Sequence, residues 1–139
     1  MADFFKDIVY AKNDVIQFGA GIPGFENNKQ YVLVQVPEYA PFDWLVCVDG
    51  TRLRFALINP LLFMPEYNPK MTKDQLEDLK VESPDDLLLY VIVTIRENPA
   101  ESTANLLGPV IINKRLRVGK QVIIDDDRYG TQEPLLRKK

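Results

Sequence analysis

The sequence contains no histidine. That removes the commonest general base, the usual metal ligand and the ordinary pH switch together. It contains one cysteine, Cys47, so no intrachain disulfide can form, which fits a reducing compartment. Cys47 sits in the apolar, strand-like run Trp44–Val48 with no histidine to activate it. A buried, inert thiol is expected there rather than a nucleophile. No apolar run approaches the roughly 20 residues that span a bilayer. Met1–Asp7 lacks the basic region and following apolar stretch of a signal peptide, so the expected location is the cytoplasm. Internal repeats and low-complexity tracts are also missing.

What is present describes a foldable chain. It has 139 residues, 46% of them hydrophobic and 27% charged. A chain of this length buries roughly two thirds of its unfolded surface without staples. One domain over residues 1–134 is expected, with 135–139 as a flexible C-terminal tail. The net charge of −3 conceals an asymmetry. Residues 1–113 carry 9 basic and 16 acidic side chains, net −7, whereas residues 114–139 carry 8 and 4, net +4. Two readings stand side by side: a solvated acidic body with a basic segment folded back on it, or a charge pattern that steers partners.

Strand signals dominate. They fall at Val15–Phe18, Tyr31–Val36, Asp43–Val48, Leu53–Ile58, Leu87–Ile95, Pro109–Asn113 and Gln121–Ile124. Asp49-Gly50 marks a hairpin turn, and Gly119-Lys120 a tight connection. Leu87–Ile95 is nearly all apolar, which predicts a strand covered on both faces. One helix is predicted over Lys73–Lys80: Thr72 and Gln75 form a capping box, and Leu76 and Leu79 share a face. Ser83-Pro84-Asp85-Asp86 reads as a second short helical turn. Several short strands, 10 prolines and one helix predict a mostly β fold, a small antiparallel, partly closed β-barrel with one short α-helix.

Motifs that could carry chemistry fail on context. Gly19-Ala20-Gly21-Ile22-Pro23-Gly24 lacks the following helix and the lysine or serine of a phosphate-binding loop. It reads as a type II turn with Pro23 at the second position and Gly24 at the third, flanked by Phe18 and Phe25, which could pin it to the core. Asp125-Asp126-Asp127 lacks the glycine and terminal glutamate of a calcium loop and reads as a solvated turn. No catalytic residue, metal site or cofactor is expected. Lys114, Arg115, Arg117 and Lys120 cluster, but the acidic body and the lack of basic–aromatic interleaving argue against direct nucleic-acid binding.

Pro60–Pro69 is the segment hardest to assign to scaffold alone. Its three prolines exclude a strand interior or a long helix, and it carries Leu61, Leu62, Phe63, Met64 and Tyr67. Such a loop plugs a core or presents a preorganised apolar face to a partner. The plug reading is favoured for Leu61 and Leu62; both remain open for Phe63, Met64 and Tyr67.

A set of motifs in fixed order links these pieces. It runs Phe18-Gly19-x-Gly21-Ile22-Pro23-Gly24-Phe25, Pro41-Phe42-x-Trp44-Leu45, Phe55-Ala56-Leu57-Ile58-Asn59-Pro60 and Phe63-x-Pro65-x-Tyr67. Thr94-Ile95, Thr103-Ala104-Asn105-Leu106, Pro109-Val110-Ile111-Ile112-Asn113 and Lys120-Gln121-Val122 follow. In this order the chain resembles the flagellar assembly factor FliW family, from about Asp14 to about Pro134. It departs in the more apolar Leu45–Val48 and in Gly108, where a small alanine is common.

The resemblance implies a small β-barrel-like protein without enzymatic activity. It implies binding of flagellin in the cytoplasm and, once flagellin is exported, capture of the RNA-binding translational regulator CsrA, which relieves repression of flagellin translation. The alternative is a flagellin-only export chaperone or structural interaction module. Candidate partner-binding residues are Asn59, Phe63, Pro65, Glu66 and Tyr67 in the proline-rich loop, Asp74, Glu77 and Asp78 on the helix, and Asn105. The acidic members suit capture of a basic protein. Neither a membrane nor a nucleic acid is an expected partner.

Overall fold

A computed structural model describes residues 8–50 and 53–136. Nine strands form: β1 (Ile16–Gln17), β2 (Gln30–Gln35), β3 (Asp43–Cys47), β4 (Arg54–Ile58), β5 (Leu87–Thr94), β6 (Thr103–Ala104), β7 (Val110–Asn113), β8 (Val118–Gln121) and β9 (Glu133–Pro134). Their order is β4-β3-β2-β1-β8-β7-β5-β6-β9, and β4 also pairs with β5. That last pairing closes a seven-strand barrel, with β6 and β9 added beside the second half of β5. The expected small β-barrel with one short helix is therefore present. Its closure is complete rather than partial, and one junction, β1 with β8, is parallel.

Strand alternation distributes the apolar side chains between three cores. Ile16, Phe18, Tyr31, Leu45, Leu57, Tyr90, Val110 and Ile112 fill the barrel interior. On the outer face, Ala56, Ile58, Val91, Val93 and Ala104 pack under the proline-rich loop. Ile111, Val122 and Ile124 pack under the helical segment. β5 thus has apolar cover on both sides, as its unbroken apolar run predicts. Cys47 is 4% exposed and faces the interior, and its thiol donates to Asp49 Oδ1.

The helix is shorter than the predicted span. α1 covers Lys73–Leu76, and Glu77–Leu79 tightens into a 3-10 turn that ends at Lys80 with φ +48°. The capping box is formed as expected: Thr72 Oγ1 accepts from Gln75 N, and Gln75 Oε1 accepts from Thr72 N. Leu79 is buried and Leu76 packs beside it, leaving Asp74, Glu77 and Asp78 exposed. Pro84–Asp86 forms the second short turn, capped by Ser83.

Two expectations need correction. The predicted strand at Gln121–Ile124 begins three residues earlier, and Gly119-Lys120 lies inside it rather than in a turn. The reversal is made instead by Asn113. Its Oδ1 accepts from Arg115 N and Leu116 N, and Arg117 completes the turn at φ +57°. Residues beyond Gln121 still pair, through Val122 N to Pro109 O and Ile124 N to Leu107 O. Phe25 is also not pinned inside. It is 42% exposed and meets Phe55 edge-on, while Ile22 takes the buried position in that loop. Gly24, at φ +89°, supplies the turn geometry expected of it.

Met1–Asp7, the stretch read for a signal peptide, lies outside the described residues, as do residues 137–139 of the expected tail. Leu135 and Leu136 are described: Leu135 N donates to Ser102 O, and its side chain packs with the outer core. Among the described residues, no helix is long and apolar enough to cross a membrane.

Candidate partner-binding surfaces

The proline-rich loop is built from its first residue. Asn59 Oδ1 accepts from Leu61 N, and Pro60 starts a 3-10 turn over Pro60–Leu62. This turn points its two leucines outward: Leu61 is 44% and Leu62 63% exposed. The reading of Leu61 and Leu62 as core plugs is therefore wrong. Tyr67 is the plug. It is 5% exposed, its hydroxyl donates to Leu106 O at 2.7 Å, and its ring meets Tyr129 edge-on at 4.8 Å. Burial raises the Tyr67 hydroxyl well above its ordinary pKa, with smaller contributions from Tyr129 and Asp126.

A second segment braces the loop from below. Tyr129 Oη accepts from Asn68 N at 2.9 Å, and Arg128 Nη2 donates to Asn68 O at 3.1 Å. Arg128 also holds Asp126, through contacts of 2.7 to 3.2 Å, and lies over the Tyr129 ring. Hydrogen bonding from Arg128 lowers the Asp126 carboxyl to about 2. Asp126, alone of the aspartate run, is thus part of the loop's support.

Beside the braced loop lies an apolar groove of about 600 Å³. Leu62, Phe63 and Ile58 form one wall; Pro41 and Phe42 enter from the β2–β3 connection, and Leu135 and Leu136 from the chain's end. Leu136 is 64% exposed. Large apolar side chains are thus gathered around one concavity rather than scattered over the surface.

The nine sequence-predicted residues do not gather at one place. Phe63 lines the groove, half-buried, and Asn59, Pro65 and Glu66 are exposed along the same loop. Tyr67 lies in the core behind them. Asp74, Glu77 and Asp78 stand on a different sector, over β7 and β8, where Asp78 meets Lys120 at 3.5 Å. Asn105 lies at the barrel mouth with Gln121 and Ile22, and its Oδ1 accepts from Leu107 N rather than from the loop. Sequence reasoning missed Leu62, Phe42, Leu135 and Leu136 as groove residues. The adjacent leucine pairs 61–62 and 135–136, each directly after a proline, carried the signal.

Three cations in the described part of the basic segment fold back on the body. Arg115 pairs with Glu82 and Asp86, Arg117 Nη2 donates to Asp14 O, and Lys120 Nζ donates to Gln75 O. Among the described residues, no group of three or more acidic or thiol side chains could hold a metal ion.

The closed barrel with its braced loop and capped helix has relatives. The family described as FliW protein matches residues 2–135. The chain belongs to the FliW family. The flagellar assembly factor FliW of Alkaliphilus metalliredigens is 38% identical over 135 residues, covering 96% of this chain and 83% of that protein. The same factor from Geobacillus kaustophilus is 39% identical over 133 residues, covering 96% and 92%. A crystal structure of the flagellar assembly factor FliW superimposes with a TM-score of 0.89 at 37% identity, covering 98% of this chain and 95% of that one. The motif order read from the sequence and the FliW fold thus agree along the whole barrel.

Proposed function

We propose that this FliW-family chain is a non-enzymatic, cytoplasmic switch protein. It binds flagellin and, when flagellin is exported, binds and antagonises CsrA, relieving repression of flagellin translation. The apolar groove beside Leu62 and Phe63 carries the reading, because it is a preorganised surface with large apolar side chains held in solvent. Bracing by Tyr67, Tyr129 and Arg128 lowers the ordering cost of binding there. The groove suits the apolar face of a flagellin segment. Asp74, Glu77 and Asp78, on their separate sector, suit a basic RNA-binding protein and raise its rate of encounter.

The test is a titration of this protein into a CsrA–RNA complex, following RNA release. Release, and its suppression by added flagellin, is the expected result. A protein that binds flagellin yet leaves the RNA bound is the flagellin-only chaperone, and the switch role is then excluded.

A further inference from the structure

We propose that the seam between β1 and β8 is a strand-addition site, and that it takes an extended partner segment of alternating basic and apolar residues. This site is separate from the apolar groove and borders the acidic helix face, with which it shares Asp78.

The seam is closed by a single rung. Gln17 pairs with Val118, and Gln17 N donates to Arg117 O at 2.9 Å. The chain then leaves β8: no pairing follows Gln17, and Phe18 O accepts from Gly21 N at 2.8 Å in a turn. β8 continues with no strand on that edge until Ile123, whose carbonyl accepts from Gln75 Nε2 at 3.0 Å. Its pairing with β7 fixes where its backbone groups point. Gln121 stands opposite Val110, between the bonds Val122 N to Pro109 O and those of the Lys120–Ile111 pair. Gln121 is thus at a non-hydrogen-bonded position, and its N–H and C=O face away from β7. Among the described residues neither makes a hydrogen bond. The Gly119 carbonyl lies on the same edge.

Space for another backbone is present along that edge. A cleft of about 620 Å³ separates β8 from the wall Gly19-Ala20-Gly21. A Cβ built on Gly19 would meet nothing within 4 Å. Pro23 and Gln121 line both this cleft and an opening of about 330 Å³ at the barrel mouth, where Ile22, Phe55 and Ile92 stand. A strand laid on the edge sends alternate side chains to these two places. The apolar set meets half-buried Phe55 and Ile92. The other set meets the cleft carrying Glu26 and Asp78, beside exposed Asp74 and Glu77. Lys120, the cleft's one cation, is held by Asp78 and the Gln75 carbonyl, so the balance around the cleft is negative and selects lysine or arginine. The opposite sheet edge is protected: β9 ends in Pro134, which has no N–H to offer.

The probe is a blocked heptapeptide alternating lysine and valine. It is compared with its glutamate–valine counterpart and with a lysine–valine peptide N-methylated at alternate residues. Binding is followed by fluorescence anisotropy, and exchange of the Gln121 amide by NMR. The lysine peptide should bind at least tenfold more tightly than either control and slow Gln121 exchange. Gly19→Val, which fills the open wall, should weaken binding tenfold with the thermal midpoint unchanged. The proposal is overturned by failure of the lysine peptide to bind, by equal binding of either control, or by binding that leaves Gln121 exchange unaltered.

Discussion

The Tyr67 hydroxyl donates to the Leu106 carbonyl at 2.7 Å, joining the proline-rich loop to the segment that leads into β7 across 39 residues of sequence. Both partners are buried, so the bond cannot be replaced by water without rearrangement. Tyr67→Phe keeps the ring against Tyr129 but leaves the Leu106 carbonyl unsatisfied. It should cost about 1–3 kcal/mol in chemical denaturation. A loss below a few tenths of a kcal/mol would mean that the loop is held by ring packing alone.

Leu62 tests the groove with little structural confusion, since 63% of it is already exposed. Leu62→Asp should leave the unfolding free energy within the range of ordinary surface changes, about 0.5 kcal/mol. It should weaken flagellin or CsrA binding by more than about 1 kcal/mol, as loss of an interface anchor does. Phe63→Ala is the less clean probe, because Phe63 also packs against the outer core. Calorimetric titration of each partner decides the matter, and unchanged affinity for both removes the groove from the binding surface.

Much of the barrel is legible in the sequence, because strand alternation and turn chemistry act locally. The capping box at Thr72 and Gln75 and the unbroken apolar run of β5 needed no tertiary knowledge. What escaped depended on distant partners. Asn113 reads as the end of a strand, yet its amide turns the chain through Arg115 and Leu116 and donates to Leu79 O at 2.8 Å, 34 residues away. The groove was half legible: the loop's composition announced a surface, but the walls from Phe42 and Leu136 arrive from elements whose meeting is set by the closed sheet. Whether the acidic helix and Asn105 share a face with the loop was not legible, because sequence carries no information on which sector of a barrel each strand connection covers.

Gly119 is required by contact rather than by backbone conformation. A Cβ there would stand 2.5 Å from the Phe18 ring, which is fully buried inside the barrel and has no room to move. Gly119→Ala should destabilise the fold by about 1–3 kcal/mol, the usual cost of overpacking. Gly19→Ala, facing open space, is the matched control and should be nearly neutral. Urea titration should show a lower midpoint for the first variant alone, with the slope preserved.

Asp126 gives a pH signature for the brace beneath the loop. Hydrogen bonds from Arg128 hold its folded-state pKa at about 2, below the ordinary aspartate value. A depressed carboxylate stabilises the fold at pH above its unfolded pKa, and that contribution fades as pH falls through the folded one. Carboxyl-detected NMR should therefore place the Asp126 midpoint near 2 and report the Asn68 amide shifting with it. Arg128→Ala should return the midpoint toward the ordinary aspartate range. A midpoint that does not move on this substitution would show that Arg128 is not the cause.

The acidic helix face makes a prediction about rates. Asp74 and Glu77 are exposed and lie beside Asp78, which is already engaged with Lys120 at 3.5 Å. Reversing the first two, Asp74→Lys with Glu77→Lys, changes the local charge by four units while sparing that contact. Exposed charges act mainly on encounter, because solvent screens them once the complex is formed. The double variant should slow CsrA association several-fold at low salt and flatten its dependence on ionic strength, with a small change in dissociation rate. Flagellin binding at the groove should be nearly unaffected, since the two surfaces occupy different sectors of the barrel. Stopped-flow measurements at two salt concentrations distinguish the outcomes: an association rate that is equally salt-dependent in both proteins would exclude this face from CsrA capture.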